Sequence, residues 1–175
     1  PSDNTLNLTF QHILTRINFA AKLVDSSYTY TVESITVTGA KGGTATYTFG
    51  GTEGKGGNWN ITGSAPASGY SYTFDNTVTA KDGIYDYTQN DNSLMLYPQS
   101  LTDAKITVKY KTEKDNATFF NGSKEVALTG EWTNGQSIRY ILTLPVGAEK
   151  MSVNTTYDED WNATDNEQTP KTPVL

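Results

Sequence analysis

Apolar and polar residues alternate with a period of two along most of this chain. Between Lys105 and Lys111, the side chains of Ile106, Val108 and Tyr110 alternate with Lys105, Thr107 and Lys109. That pattern predicts a strand with one face buried and one face wet. Just upstream, the run Leu94-Met95-Leu96-Tyr97 stops at Pro98. Proline cannot donate a ladder hydrogen bond, so Pro98 belongs at a strand end or an edge. Near the start, Leu6, Leu8, Phe10, His12 and Leu14 share even parity, whereas Ile17, Phe19, Ala21 and Leu23 are odd. A strand changes phase only through an extra residue or a turn, so a bulge or short helical turn is predicted near Thr15 and Arg16. Further strands are predicted over residues 28–32, 34–38, 45–49, 69–74, 94–97, 125–129, 137–144 and 151–157.

Turn chemistry separates these segments. Gly-rich runs at 39–43 and 50–57 allow positive φ. Thr133-Asn134-Gly135-Gln136 carries the Asn-Gly pair that suits a type I′ hairpin turn. About ten short strands at regular spacing, with no helix longer than a turn, predict an all-β, Greek-key β-sandwich. The two-sheet architecture expected is transthyretin-like or immunoglobulin-like. It should occupy residues 1–157. Residues 158–175 are polar, with Pro170, Pro173 and only Trp161, Val174 and Leu175 to bury, and read as a C-terminal tail.

Composition agrees. Eleven Tyr against six Phe, with abundant Thr, suit sheet margins, and only 18% charged residues argue against disorder. The net charge of −6, without a Lys/Arg stripe, excludes an ordinary nucleic-acid partner. With no Cys there is neither a disulfide nor a thiolate metal site. No apolar run reaches the ~18 residues that cross a bilayer. Beginning at Pro1 without a signal peptide, the chain reads as a processed or trimmed product.

Candidate chemistry is sparse. His12 shares a face with Leu14 and reads as a structural histidine rather than a catalytic one. No Gly-x-Ser-x-Gly elbow, Walker loop or zinc-ligand pair occurs, and nothing nominates a carboxylate pair, so no catalytic residue, metal site or cofactor is expected. Asp158, Glu159, Asp160, Asp165 and Glu167 offer hard oxygen atoms for calcium, but without EF-hand spacing they read as a solvated run. Trp59, in a Gly- and Asn-rich stretch, is the candidate ligand-facing aromatic. Asn-x-Thr/Ser triplets begin at Asn7, Asn60, Asn116, Asn121, Asn154 and Asn162, a frequency that abundant Thr and Ser produce by chance.

Three stretches in register carry a family resemblance. They are Phe10-Gln11-His12-Ile13-Leu14-Thr15-Arg16-Ile17, then Leu94-Met95-Leu96-Tyr97-Pro98-Gln99 with Ile106-x-Val108-x-Tyr110, and finally Trp132-x-x-Gly135 followed by Tyr140. Together they resemble the fimbrillin family of Bacteroidetes-type surface pili, anchoring about residues 6 to 161. The resemblance implies a structural or adhesive fimbrial subunit that is not an enzyme. It further implies export to the outer membrane as a lipoprotein precursor, and assembly by strand exchange with neighbouring pilus subunits. The chain begins about where the family's second domain starts.

In such assembly a strand from one subunit fills a groove in the next, main-chain bonds giving affinity and alternate side chains giving register. By this resemblance the donor is the C-terminal part, with Met151, Val153, Thr155 and Tyr157 alternating and Val174 and Leu175 closing the chain. A stalk, tip or anchor role fits equally, with a host or bacterial surface glycan or protein as receptor. The rival expectation is a carbohydrate-binding module built on Trp59. A glycosidase or protease domain would need convergent acids in a cleft.

Overall fold

The computed structural model describes residues 11–50, 56–78, 83–89 and 92–157, without the side chains of Asp75 and Asn76. Eleven strands run through these residues, and no α-helix does. They are β1 (Thr15–Leu23), β2 (Thr29–Thr38), β3 (Ala45–Phe49), β4 (Gly57–Ile61), β5 (Tyr70–Val78), β6 (Ile84–Asp86), β7 (Leu94–Leu96), β8 (Lys105–Lys114), β9 (Ala117–Ala127), β10 (Ser137–Leu144) and β11 (Ser152–Tyr157).

Two sheets pack face to face. One has the order β11-β10-β1-β6, with β7 also on β1, and the other the order β5-β2-β8-β9. The hairpin β3-β4 is a separate two-stranded sheet. The first sheet is held by a parallel pairing of β1 with β10, running from Arg16↔Ser137 to Leu23↔Leu144. On its other side β1 meets two short strands end to end, β7 at Thr15–Ile17 and β6 at Ala20–Lys22. Between them Phe19 N–H donates to Thr88 Oγ1 at 2.9 Å, so the ladder continues through the gap.

The core lies between the sheets. β1 contributes Ile17, Phe19, Ala21 and Leu23, and β10 contributes Ile138, Tyr140, Leu142 and Leu144. From the facing sheet come Tyr30, Val32, Ile35 and Val37 of β2 and Ile106, Val108 and Tyr110 of β8. The β8 side chains alternate as the period-two pattern requires. Tyr110 and Thr112 cross the sandwich to donate to Pro145 O (2.8 Å) and Val146 O (2.6 Å), satisfying hydroxyls that burial would otherwise penalise. Phe19 meets Tyr72 edge-on at 6.0 Å between the same layers.

Sequence and structure differ in instructive places. Residues 28–32 and 34–38 are one strand, because Glu33 is a bulge that shifts the buried parity from Tyr30 and Val32 to Ile35 and Val37. Glu33 leaves the ladder and pairs with Lys109 at 2.7 Å. The Asn134-Gly135 turn is not a type I′ hairpin. Only Gly135 has positive φ there, and the turn leads from the β9 side into β10 of the other sheet. The two-residue hairpin turn is Asp115-Asn116, with φ 51° and 64°, closing β8 onto β9. Asp and Asn tolerate this left-handed region. Where 125–129 was expected as a strand, β9 begins eight residues earlier, at Ala117 rather than Glu125. Residues 57–61 and 84–86, outside the predicted strands, are β4 and β6.

On the outer face of the first sheet, Arg139 of β10 reaches across β1 to Asp86 of β6, its Nε 2.6 Å from Oδ1. Ala20 lies beneath this bridge and is fully buried.

Burial raises the phenols of Tyr87, Tyr110 and Tyr140 above their ordinary value of 10.0. Raised pKa values stabilise the fold fully below the unfolded-state value, and the contribution is lost progressively as pH rises from there through the higher folded-state value. Denaturation midpoints should therefore stay level through mildly alkaline conditions and fall above about pH 10. Urea titrations at stepped pH, read beside phenolate absorbance, test this, and a midpoint unchanged once the tyrosines ionise would contradict it.

Candidate functional site

The candidate donor residues share one face. β11 runs antiparallel to β10 with the register Leu142↔Val153, Tyr140↔Thr155 and Ile138↔Tyr157, so Val153, Thr155 and Tyr157 stand beside core-facing residues. Their burial fades along the strand. Met151 is buried in the core, Val153 packs partly against it, and Thr155 and Tyr157 are exposed, Tyr157 by 61%. Thus β11 is docked in its own sheet by ladder hydrogen bonds and one end of its apolar face. Val174 and Leu175 lie outside the described residues, as do Trp161, the acidic run from Asp158 and the alternating Leu6, Leu8 and Phe10.

The three sequence motifs meet at one end of the sandwich. Gly135 N–H donates to Leu14 O at 3.1 Å, and Arg16 N–H donates to Gln136 O at 2.8 Å. Thr15, wholly buried, donates through Oγ1 to Thr133 O at 2.9 Å. The segment after β7 joins them, since Gln99 O accepts Trp132 N–H at 2.9 Å and Gly130 O accepts Leu101 N–H at 3.0 Å. Trp132 then inserts its indole into the core, where Nε1–H donates to the hydroxyl of Tyr140 at 2.9 Å. This bond lowers the Tyr140 phenol slightly against the larger upward effect of burial. The Trp-to-Tyr spacing is therefore a buried hydrogen bond between the turn and β10, not a hairpin pair.

Trp59 belongs to the same end. It lies on β4, where Trp59 and Ile61 face inward opposite Tyr47 and Ala45 of β3. Its ring is half-buried, 5.0 Å from Tyr47 and 4.7 Å from Tyr97, and its Nε1–H donates to Ile13 O at 2.7 Å. Asn134 Nδ2 donates to Gly57 O at 2.8 Å and Tyr97 Oη to Gly43 O at 3.0 Å, fastening the hairpin beside the motifs. The row ends at Phe49, edge-on to Tyr47 at 5.0 Å and 73% exposed. Successive planes are inclined by 88°, 51° and 49°. Rings inclined this way pack on one another as a small hairpin core rather than forming one flat surface. The sequence signal for this row was present: Trp59 and Ile61 alternate with Asn58 and Asn60, and Tyr47 and Phe49 with Thr46 and Thr48.

His12 is exposed, not packed with Leu14. It stands on the segment before β1, where strand parity does not operate. Asn60, Asn116, Asn121 and Asn154 are all exposed, as strand and turn positions facing solvent.

The sequence profile of the fimbrillin-like family matches residues 1–161. The chain belongs to the fimbrillin-like family. No curated protein matches it. Its fold is similar to a crystal structure of a fimbrial protein from Bacteroides vulgatus ATCC 8482, with a TM-score of 0.58 and 16% identity over 85% of this chain and 54% of that one. A putative cell adhesion protein from Bacteroides uniformis ATCC 8492 aligns with a TM-score of 0.48 and 15% identity, over 87% of this chain and 52% of that one. This fimbrillin-like chain thus spans about half the length of the solved structures it matches.

Two substitutions separate the roles of the indoles. Trp132→Phe keeps an aromatic ring but leaves the buried Tyr140 hydroxyl without its indole donor, and should cost at least about 1–3 kcal/mol by chemical denaturation. Trp59→Ala should cost roughly 2 kcal/mol, less than a wholly buried ring, by loosening the β3-β4 hairpin. An unchanged midpoint for Trp59→Ala would refute its anchoring role.

Proposed function

We propose that this chain is part of a structural or adhesive subunit of a cell-surface fimbria, exported to the outer membrane and assembled by strand exchange with neighbouring subunits. Family membership across 161 residues carries the reading. The fold supports it. The described part is a two-sheet sandwich closed by a terminal strand, β11, that is held mainly through its backbone and by Met151 and Val153. Such a strand loses little side-chain packing when it leaves β10. In the assembly proposed, Met151, Val153, Thr155 and Tyr157, followed by residues through Val174 and Leu175, enter the groove of the next subunit. About five inward side chains at ~1.5–3 kcal/mol each give a gross burial on the order of 7–15 kcal/mol before ordering costs. A head-to-tail contact of this kind does not close on itself, so it builds a fibre. The role is mechanical and adhesive, not catalytic.

A second reading, a carbohydrate-binding module, draws on the exposed Phe49 at the tip of the aromatic row. It expects Phe49→Ala to abolish retention on a glycan array while the denaturation midpoint holds.

Material sheared from producing cells should give a ladder of regular steps on an unboiled gel that collapses on boiling. Deleting residues 158–175 should abolish the ladder and leave the sandwich folded by circular dichroism. Normal ladders from the truncated protein would sink the donor assignment.

A further inference from the structure

The outer faces of the two sheets differ in charge. On β8 the outward Lys105, Lys109 and Lys111 each pair with a carboxylate, of Glu125 at 3.0 Å, Glu33 at 2.7 Å and Glu113 at 2.8 Å. That face is balanced. On the first sheet the outward positions, which alternate with the core residues, carry three cations: Arg16 and Lys22 on β1 and Arg139 on β10. Against them stands one carboxylate, Asp86 of β6, and the outward positions of β7 and β11 are uncharged. Ala20 and Ile141 on this face are already buried, so what it offers a partner is charge. A cationic face is out of keeping with a chain whose net charge is −6.

We infer that this face is the docking site, in the free subunit, for the acidic run 158–167 of the same chain. Charge selects that run. It lies outside the described residues and holds Asp158, Glu159, Asp160, Asp165 and Glu167, five of the chain's 19 acidic side chains, with no cation among them. Position selects it as well. β11 ends with Tyr157 opposite Ile138, so the chain leaves the sheet beside Ser137, whose Oγ accepts Arg16 Nε–H at 2.9 Å. Strands lie ~4.8 Å apart, which puts Arg139 one strand and Arg16 two strands, roughly 10 Å, from that exit. Three residues span about 10 Å, so Asp158, Glu159 and Asp160 reach both. Lys22 stands about 20 Å further along β1 than Arg16. Asp165 and Glu167 follow Asp160 by about 17 and 23 Å of extended chain, which brackets that spacing. Exposed ion pairs are individually weak, but several on one short tether act at high effective concentration. An acidic segment of another molecule lacks that tether. The docked run keeps the tail on its own subunit, and salt should release it. This goes beyond the fimbrial reading and concerns the purified single chain, so its failure would leave the exchange ladder of sheared material unaffected.

Carbodiimide coupling of dilute full-length protein, read by peptide mass spectrometry, tests the contact. The reagent takes up the water lost as Lys22 Nζ forms an amide with a neighbouring carboxyl group. Lys22 should couple within one chain to Asp165 or Glu167, the yield should collapse in high salt, and Lys105 on the balanced face should not couple to the run. Glutamyl endopeptidase should cut after Glu167 severalfold faster in Lys22→Glu, an exposed substitution, than in wild type at low salt, and high salt should remove the difference. Coupling of Lys22 to the run only between two chains would make a second copy the occupant and overturn the proposal. Coupling no greater than at Lys105, or equal low-salt cleavage of wild type and Lys22→Glu, would overturn it too.

Discussion

The parallel ladder between β1 and β10 is the contact on which the rest of the molecule depends. Arg16 and Ser137 are 121 residues apart in sequence, yet they stand side bonded to side in one sheet. This ladder places Phe19 beside Tyr140, at 6.3 Å between rings, and gives β11 its partner. It also brings the segments around Leu14 and Gln136 to one end, where Trp132 and the β3-β4 hairpin find their hydrogen bonds. Without it the second sheet would have no layer to cover its Tyr30, Val32, Ile35 and Val37.

How much of this the sequence reveals depends on whether a segment's parity is interrupted. β8 is legible because its alternation runs unbroken and its buried residues fall on one side, whereas β10 is legible as an apolar run in which Ile141 is buried on the face opposite Tyr140 and Leu142. β2 reads as two strands because a bulge reverses parity without turning the chain, and local pattern cannot separate a bulge from a turn. β4 and β6 are short, and Gly or Asn neighbours obscure them; both are strands because β3 and β1 lie alongside, which is long-range information. The turns teach the same lesson. Asn134-Gly135 has the better hairpin chemistry, but Trp132 enters the core beside Tyr140 and sends the chain to the other sheet. Asp115-Asn116 makes the tight hairpin because β8 and β9 pair on both sides of it. At the candidate site, the shared face of Met151, Val153 and Thr155 could be read from alternation, whereas the fading of burial along it could not. Trp59 was legible as unusual, and its role was set by Ile13, 46 residues away.

Assembly and folding draw on the same backbone groups. Charges on the interior strands are paired, as with Glu33 to Lys109 and Arg139 to Asp86. The terminal strand is where such restraints stop. The distribution of charge and bulges is thus uneven among β5, β9 and β11.

The long ladder also sets an order in time. Loop closure over so many residues costs entropy before any of its contacts form, and folds rich in distant pairings are slow. Residues up to Lys114 and the hairpin back to Ala127 can join β2, β8 and β9, but the facing sheet lacks β10, the long partner of β1, until Leu144 has emerged. A chain emerging N-terminus first would therefore remain half-layered until Leu144 has followed.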